Sequence, residues 1–175
     1  MIRSIKLLTS YLLVASLSAK EPVPASKEDS SEIRLAIAQA AKLTVYEGLP
    51  HQMFERDLLV AESKRKDTEM IGSFRFYNPS IAVNNPKTLQ RILASSDTIQ
   101  IFQGEKLCGG FHPDYAVQWA DEAGISFNAQ ICFGCQEIIY SVGKNQYRYE
   151  ISEDAIGQLR NELVTYANKR PKKEG

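Results

Sequence analysis

Cys108-Gly-Gly-Phe-His112 and Cys132-Phe-Gly-Cys135 gather all three cysteines and one of the two histidines of this 175-residue chain into two short groups. Thiolates and imidazoles bind metals, and thiols also form disulfides and redox pairs, so three chemistries compete for the same side chains. As a metal site, Cys108, His112, Cys132 and Cys135 would form a Cys3His tetrahedron suited to zinc. C-x2-C is a common half-site there, because one tight turn lets both sulfurs reach an ion. As a disulfide, Cys108 would bond Cys135 or Cys132 and leave one thiol over, and the strand register below favours Cys108–Cys135. As a redox pair, Cys132 and Cys135 would act alone. Such pairs normally open a helix after a strand, whereas strand-like alternation resumes here at Ile138. Attachment of a c-type haem requires a histidine after the second cysteine, and this chain has Gln136.

Other polar residues carry less chemistry. His51 follows Leu49-Pro50, with Glu47 and Glu55 on either side, and reads as a surface or capping residue before a catalytic base. Asp114 shares the parity of His112, a position from which a carboxylate can orient an imidazole, and solvation at a strand edge is the competing, weightier reading. Trp119 and the eight tyrosines fit sheet packing. The chain holds no complete catalytic motif, nucleotide loop or nucleic-acid patch.

The elements that would position the cysteines are strands. Phe111, Tyr115, Val117 and Trp119 alternate with polar or small residues, as do Ile125, Phe127, Ala129, Ile131 and Phe133. A period of two is what a half-buried strand requires. With a turn at 120–124, Trp119 faces Ile125, Val117 faces Phe127 and Tyr115 faces Ala129. That register sets His112 opposite Cys132 and brings Cys108 near Cys135. A second hairpin follows, with Gly143–Gln146 as its loop, Val142 facing Tyr147 and Tyr140 facing Tyr149. Ser152 caps a last helix whose stripe is Ile156, Leu159, Leu163 and Tyr166. Upstream, helices are expected from Ser30 or Ser31 to about Lys42, from about Gln52 to Lys64 burying Phe54, Leu58 and Ala61, and from Pro86, capped by Asn84 or Asn85, burying Leu89, Ile92 and Leu93. Between them lie a break at Tyr46–Pro50, one extended segment at Met70–Tyr77 and a strand at Thr98–Phe102. Strands in succession with a covering helix imply an α+β fold, an antiparallel sheet of about four to five strands packed against helices.

Arg3 and Lys6, an apolar run over Leu7–Leu17 and small residues at Ser16, Ser18 and Ala19 form the pattern of a secretory signal peptide, expected over 1–19. The run is short of the roughly 20 apolar residues of a membrane span, so no stable membrane anchor is expected after cleavage. A retained signal anchor is the competing reading. No cysteine lies near the cleavage region to carry a lipid. Pro, Ser and charge make 20–30 a linker, 31–171 reads as a single domain, and 172–175 as a flexible tail. Without residues 1–19 the chain carries 19 basic against 21 acidic residues, a balance that predicts no binding to nucleic acid. The basic Lys169–Lys173 stretch reads as a solvated terminus.

Tyr46-Glu-Gly-Leu-Pro-His-Gln52, Cys108-Gly-Gly-Phe-His-Pro-Asp114, Cys132-Phe-Gly-Cys135 and the terminal Arg170-Pro171 together resemble the signatures of a family of small exported bacterial proteins of unknown function. The resemblance covers residues 43–171. It implies a single periplasmic or extracellular domain and brings no activity, substrate or partner with it. The expectation is a small binding or structural module held by its Cys/His cluster, with a thiol-redox or metal-dependent enzyme as the alternative.

Overall fold

Alternating apolar residues fold as strands here because a sheet lets every second side chain leave water for one core. The computed structural model describes residues 23–24, 30–104 and 108–171. The leader expected over 1–19, nearly all of the 20–30 linker and the 172–175 tail lie outside the described residues. The strands are β1 (Val23–Pro24), β2 (Thr44–Glu47), β3 (Thr68–Ile71), β4 (Phe74–Tyr77), β5 (Ile81–Ala82), β6 (Ile99–Ile101), β7 (Tyr115–Ala120), β8 (Ser126–Cys132), β9 (Glu137–Val142) and β10 (Asn145–Ile151). The helices are α1 (Ser30–Gln39), α2 (Arg56–Glu62), α3 (Lys87–Ala94) and α4 (Glu153–Leu163), the last ending in a 3-10 turn at Val164–Tyr166.

The fold is α+β. The main sheet runs β1-β10-β9-β8-β7-β2-β5, with β6 also on β10, and every pairing except that of β1 is antiparallel. It has more strands than the four to five expected. Ile33 and Ile37 of α1, Leu89, Ile92 and Leu93 of α3, and Leu159 and Leu163 of α4 bury against Val117, Trp119, Phe127, Ala129, Ile131 and Ile138. The other face carries the β3–β4 hairpin, where Ile71 and Phe76 cover Ala116 and Gln130 donates to the Ile71 carbonyl at 2.8 Å. Ser152 caps α4 as expected, its hydroxyl accepting from the Ala155 N–H.

Both cysteine-side hairpins keep the expected faces and shift their register by two. Trp119 faces Phe127, Val117 faces Ala129 and Tyr115 faces Ile131. Tyr140 faces Tyr147 and Ile138 faces Tyr149. Side-chain alternation forbids a slip of one but is blind to a slip of two, so the turns decide. Asp121 accepts the Ile125 N–H at 2.7 Å and draws Ile125 into the loop. Gly143, at φ 57°, opens a two-residue turn in place of the expected four-residue loop, a role open to glycine at positive φ.

Three other expectations change. The break at Tyr46–Pro50 begins as strand β2, which sits between β7 and β5. Met70–Tyr77 is not one strand: it takes in the end of β3, the turn and all of β4 in a hairpin, with Gly72 at φ 61° in the bend. The helix expected over Gln52–Lys64 is only α2, and it buries none of its residues, while Phe54 is exposed in the turn before it.

Candidate functional site: the end of the sheet where the motifs meet

Cys108 and Cys135 are joined as a disulfide with their α-carbons 5.5 Å apart. Cys132 is a free thiol, buried, and its ionisation is pushed up by burial, which N–H groups of His112 and Cys135 only partly offset. The Cys135 N–H reaches its sulfur at 3.3 Å. With two of three sulfurs bonded together, the Cys3His zinc set of Cys108, His112, Cys132 and Cys135 is not assembled. Among the described residues no group of three or more His, Cys, Asp or Glu is placed to hold a metal ion. The Cys132/Cys135 redox pair is likewise not present as a dithiol, because Cys135 is bonded outside the C-x2-C turn.

The two-residue shift moves Asp114, in place of His112, to the Cys132 end of the ladder. Asp114 donates its N–H to the Ile131 carbonyl at 2.8 Å, and its carboxylate accepts the Phe133 N–H at 2.8 Å and Arg170 at 3.3 Å. It therefore does not orient His112, as parity had suggested. The His112 ring lies against His51, centroids 4.7 Å apart, and its Nδ1 is buried with no hydrogen-bond partner among the described residues. Burial first, and then the neighbouring His51, lowers the pKa of His112. His51 acts as a cap. Its Nδ1 accepts the Met53 N–H at 3.0 Å, while its own N–H goes to Glu55 at 2.8 Å.

Gly48 shows how closely these segments approach. Its N–H donates to the Asp114 carbonyl at 2.7 Å, and a Cβ there would fall 2.1 Å from the Pro113 carbonyl oxygen. Only glycine lets β2 leave the sheet so near the start of β7. Arg170 then closes the arrangement from the far end of the chain, pairing with both Glu55 and Asp114. Burial works to raise the Glu55 pKa, but the His51 N–H and Arg170 outweigh it and hold the carboxyl below its ordinary value. Glu47, only 7% exposed, accepts the N–H groups of Asn168 and Lys169 on one oxygen, at 3.0 and 2.8 Å.

These residues border a cavity of about 480 Å³ between the sheet end and the last turns of α4. Its walls include Glu47, Glu55, Asp114, Tyr115, Phe133 and Arg170, so each of the four segments singled out in the sequence contributes. Arg160 of α4 also lines it, stacked over the Phe133 ring at 5.3 Å. Sequence reading missed Tyr115 and Arg160 as site residues and treated Glu47 only as a neighbour of His51. The signal for Glu47 was present: it lies two residues from Val45, and in a strand that puts a carboxylate on the core face. No family model, curated protein or solved structure matches the chain.

Proposed function

We propose that the chain is an exported, disulfide-stapled α+β module that binds a small ligand in the cavity between the sheet end and α4. The observation that carries the reading is the lining of that cavity by all four motif segments. Its volume falls in the range of small-molecule sites, roughly 300–1,000 Å³. Arg170, Glu55 and Asp114 in its walls are held by one another's charges and Glu47 by the Asn168 and Lys169 N–H groups, which favours a preformed binding site. Export is supported by the leader-like first 19 residues and by the Cys108–Cys135 pair, since disulfides persist in oxidising compartments. The motif resemblance points the same way. A thiol enzyme is less well supported, because a buried thiol of raised pKa is a poor nucleophile. Among the described residues no helix is long and apolar enough to cross a membrane.

The test is a fragment screen on the isotopically labelled, oxidised protein by amide chemical-shift mapping. Hits are expected to move the amides of Glu47, Tyr115, Phe133 and Asn168 together. A screen whose hits leave those amides in place would remove the reading.

A further inference from the structure

Resting on that cavity reading, we infer that its ligand is a small zwitterion of the amino-acid class, its ammonium on Glu47, its carboxylate on Arg160 and Tyr115, and its apolar side chain against Phe133. Three carboxylates line the cavity, but two are already engaged. Asp114 serves Phe133 and Arg170, and Glu55 serves His51 and Arg170. Arg170 is correspondingly neutralised by the pair of them. Glu47 is different. Both of its backbone donors bind Oε2, no hydrogen bond to Oε1 is made among the described residues, and the residue, only 7% exposed, borders the cavity. A buried carboxylate gains most from a charge-assisted N–H donor on its open oxygen. No side chain among the described residues donates to that oxygen, so a ligand is the natural source.

Arg160 is the complementary group. Its guanidinium sits over Phe133 and has no carboxylate partner among the described residues. Tyr115 stands beside Glu47 in the sheet, paired with it across β2 and β7, and its hydroxyl has no hydrogen-bond partner among the described residues. Burial pushes that phenol up to about 12, so at neutral pH it keeps its proton and can donate. An anionic end therefore finds two donors and a cationic end finds one acceptor. Between them, Phe133, Val164 and Pro171 offer an apolar wall. A ligand with a single charge would satisfy only one half and would leave the other desolvated beside it.

The experiment titrates the oxidised protein with three probes on one phenylethyl skeleton: phenylalanine, phenethylamine and 3-phenylpropionate. Phenylalanine is expected to shift the cavity amides and to bind at least about tenfold more tightly than either single-charge analogue, the factor that about 1.4 kcal/mol represents. Glu47→Gln keeps the acceptor for Asn168 and Lys169 and should erase the preference over 3-phenylpropionate. Arg160→Met, at an exposed helix position safe for folding, should erase the preference over phenethylamine. If a single-charge probe shifts the same amides as strongly as phenylalanine, the ligand class is wrong and the cavity reading stands. If all three probes fail while fragments of other chemistry move those amides, the ligand class is again wrong and the cavity again stands. If nothing moves them, both fail.

Discussion

Two features of the sheet end, the Cys108–Cys135 bond and His112, give direct tests. The Cys108–Cys135 bond closes a loop of sequence separation 27, and the loop-closure relation then puts its contribution near roughly 3–4 kcal/mol. Cys108→Ser/Cys135→Ser should lower the urea unfolding free energy by that amount, whereas Cys132→Ser should leave the bond intact, seen as an unchanged mass difference on reduction. An unaltered midpoint in the double variant would mean that the disulfide constrains nothing. His112 tests burial through pH. Its folded pKa lies below the ordinary value because burial and His51 disfavour the cation. The unfolded chain therefore binds the proton first, so the contribution of His112 is fully present above about pH 6.5 and is lost as pH falls through the folded value. His112→Phe keeps a ring against His51 and removes the titration. The urea midpoint of the wild-type protein should fall between pH 7.5 and pH 5 by more than that of the variant. Equal slopes would contradict a buried, neutral imidazole.

At the scale of elements, the sequence carried faces better than registers. Phe127, Ile131, Val117 and Trp119 are buried on the expected side, against the α4 stripe that includes Leu159 and Leu163. Both hairpins slipped by two because alternation repeats every two residues, while the deciding contacts, Asp121 with Ile125 and the left-handed Gly143, are local to the turns. β2 was hidden by its length of four residues and by the glycine and proline that follow it. α2 was overextended because Phe54, Leu58 and Ala61 have helical spacing, yet no layer lies over them to reward it. The meeting of Cys108 and Cys135 was legible from the matched alternation on either side of one turn, which a slip of two leaves intact. The cavity was not, since Arg160 and Arg170 come from a helix end and a tail that no local pattern ties to β2. Gly48 offers the element-scale test. Gly48→Ala forces a methyl into the Pro113 carbonyl and should cost about 3 kcal/mol, the upper end of ordinary overpacking. Gly157→Ala, in α4 with open space around it, should instead gain about 1 kcal/mol from helix propensity. Thermal midpoints moving the same way for both would show that the close approach of β2 to β7 was misread.

Across the whole molecule, one cation joins segments that are far apart in the chain. Arg170 reaches Glu55, which holds the turn before α2, and Asp114, which holds the start of β7 and the end of β8. Glu47 meets the same tail through the Asn168 and Lys169 N–H groups. The C-terminal segment thus locks the cavity from outside the sheet, and the last residues before the tail have a fixed place for electrostatic reasons. Arg170 and its two partners are about four-fifths buried as side chains or somewhat less, so salt screens them less than a surface pair. Removing the cation leaves two carboxylates close together without compensation. Arg170→Met should therefore cost about 1.5–3 kcal/mol, the range of hydrogen bonds to charged groups. Asp114→Asn should cost less, because the amide oxygen can still accept from Phe133. The double variant decides between a network and two separate contacts. If Arg170 acts by pairing with Asp114, the double variant should lose less than the two single losses added together, since residues in one network couple. Strict additivity in urea unfolding, together with unchanged amide shifts at Glu47 and Phe133, would mean that the tail rests on the sheet without locking it.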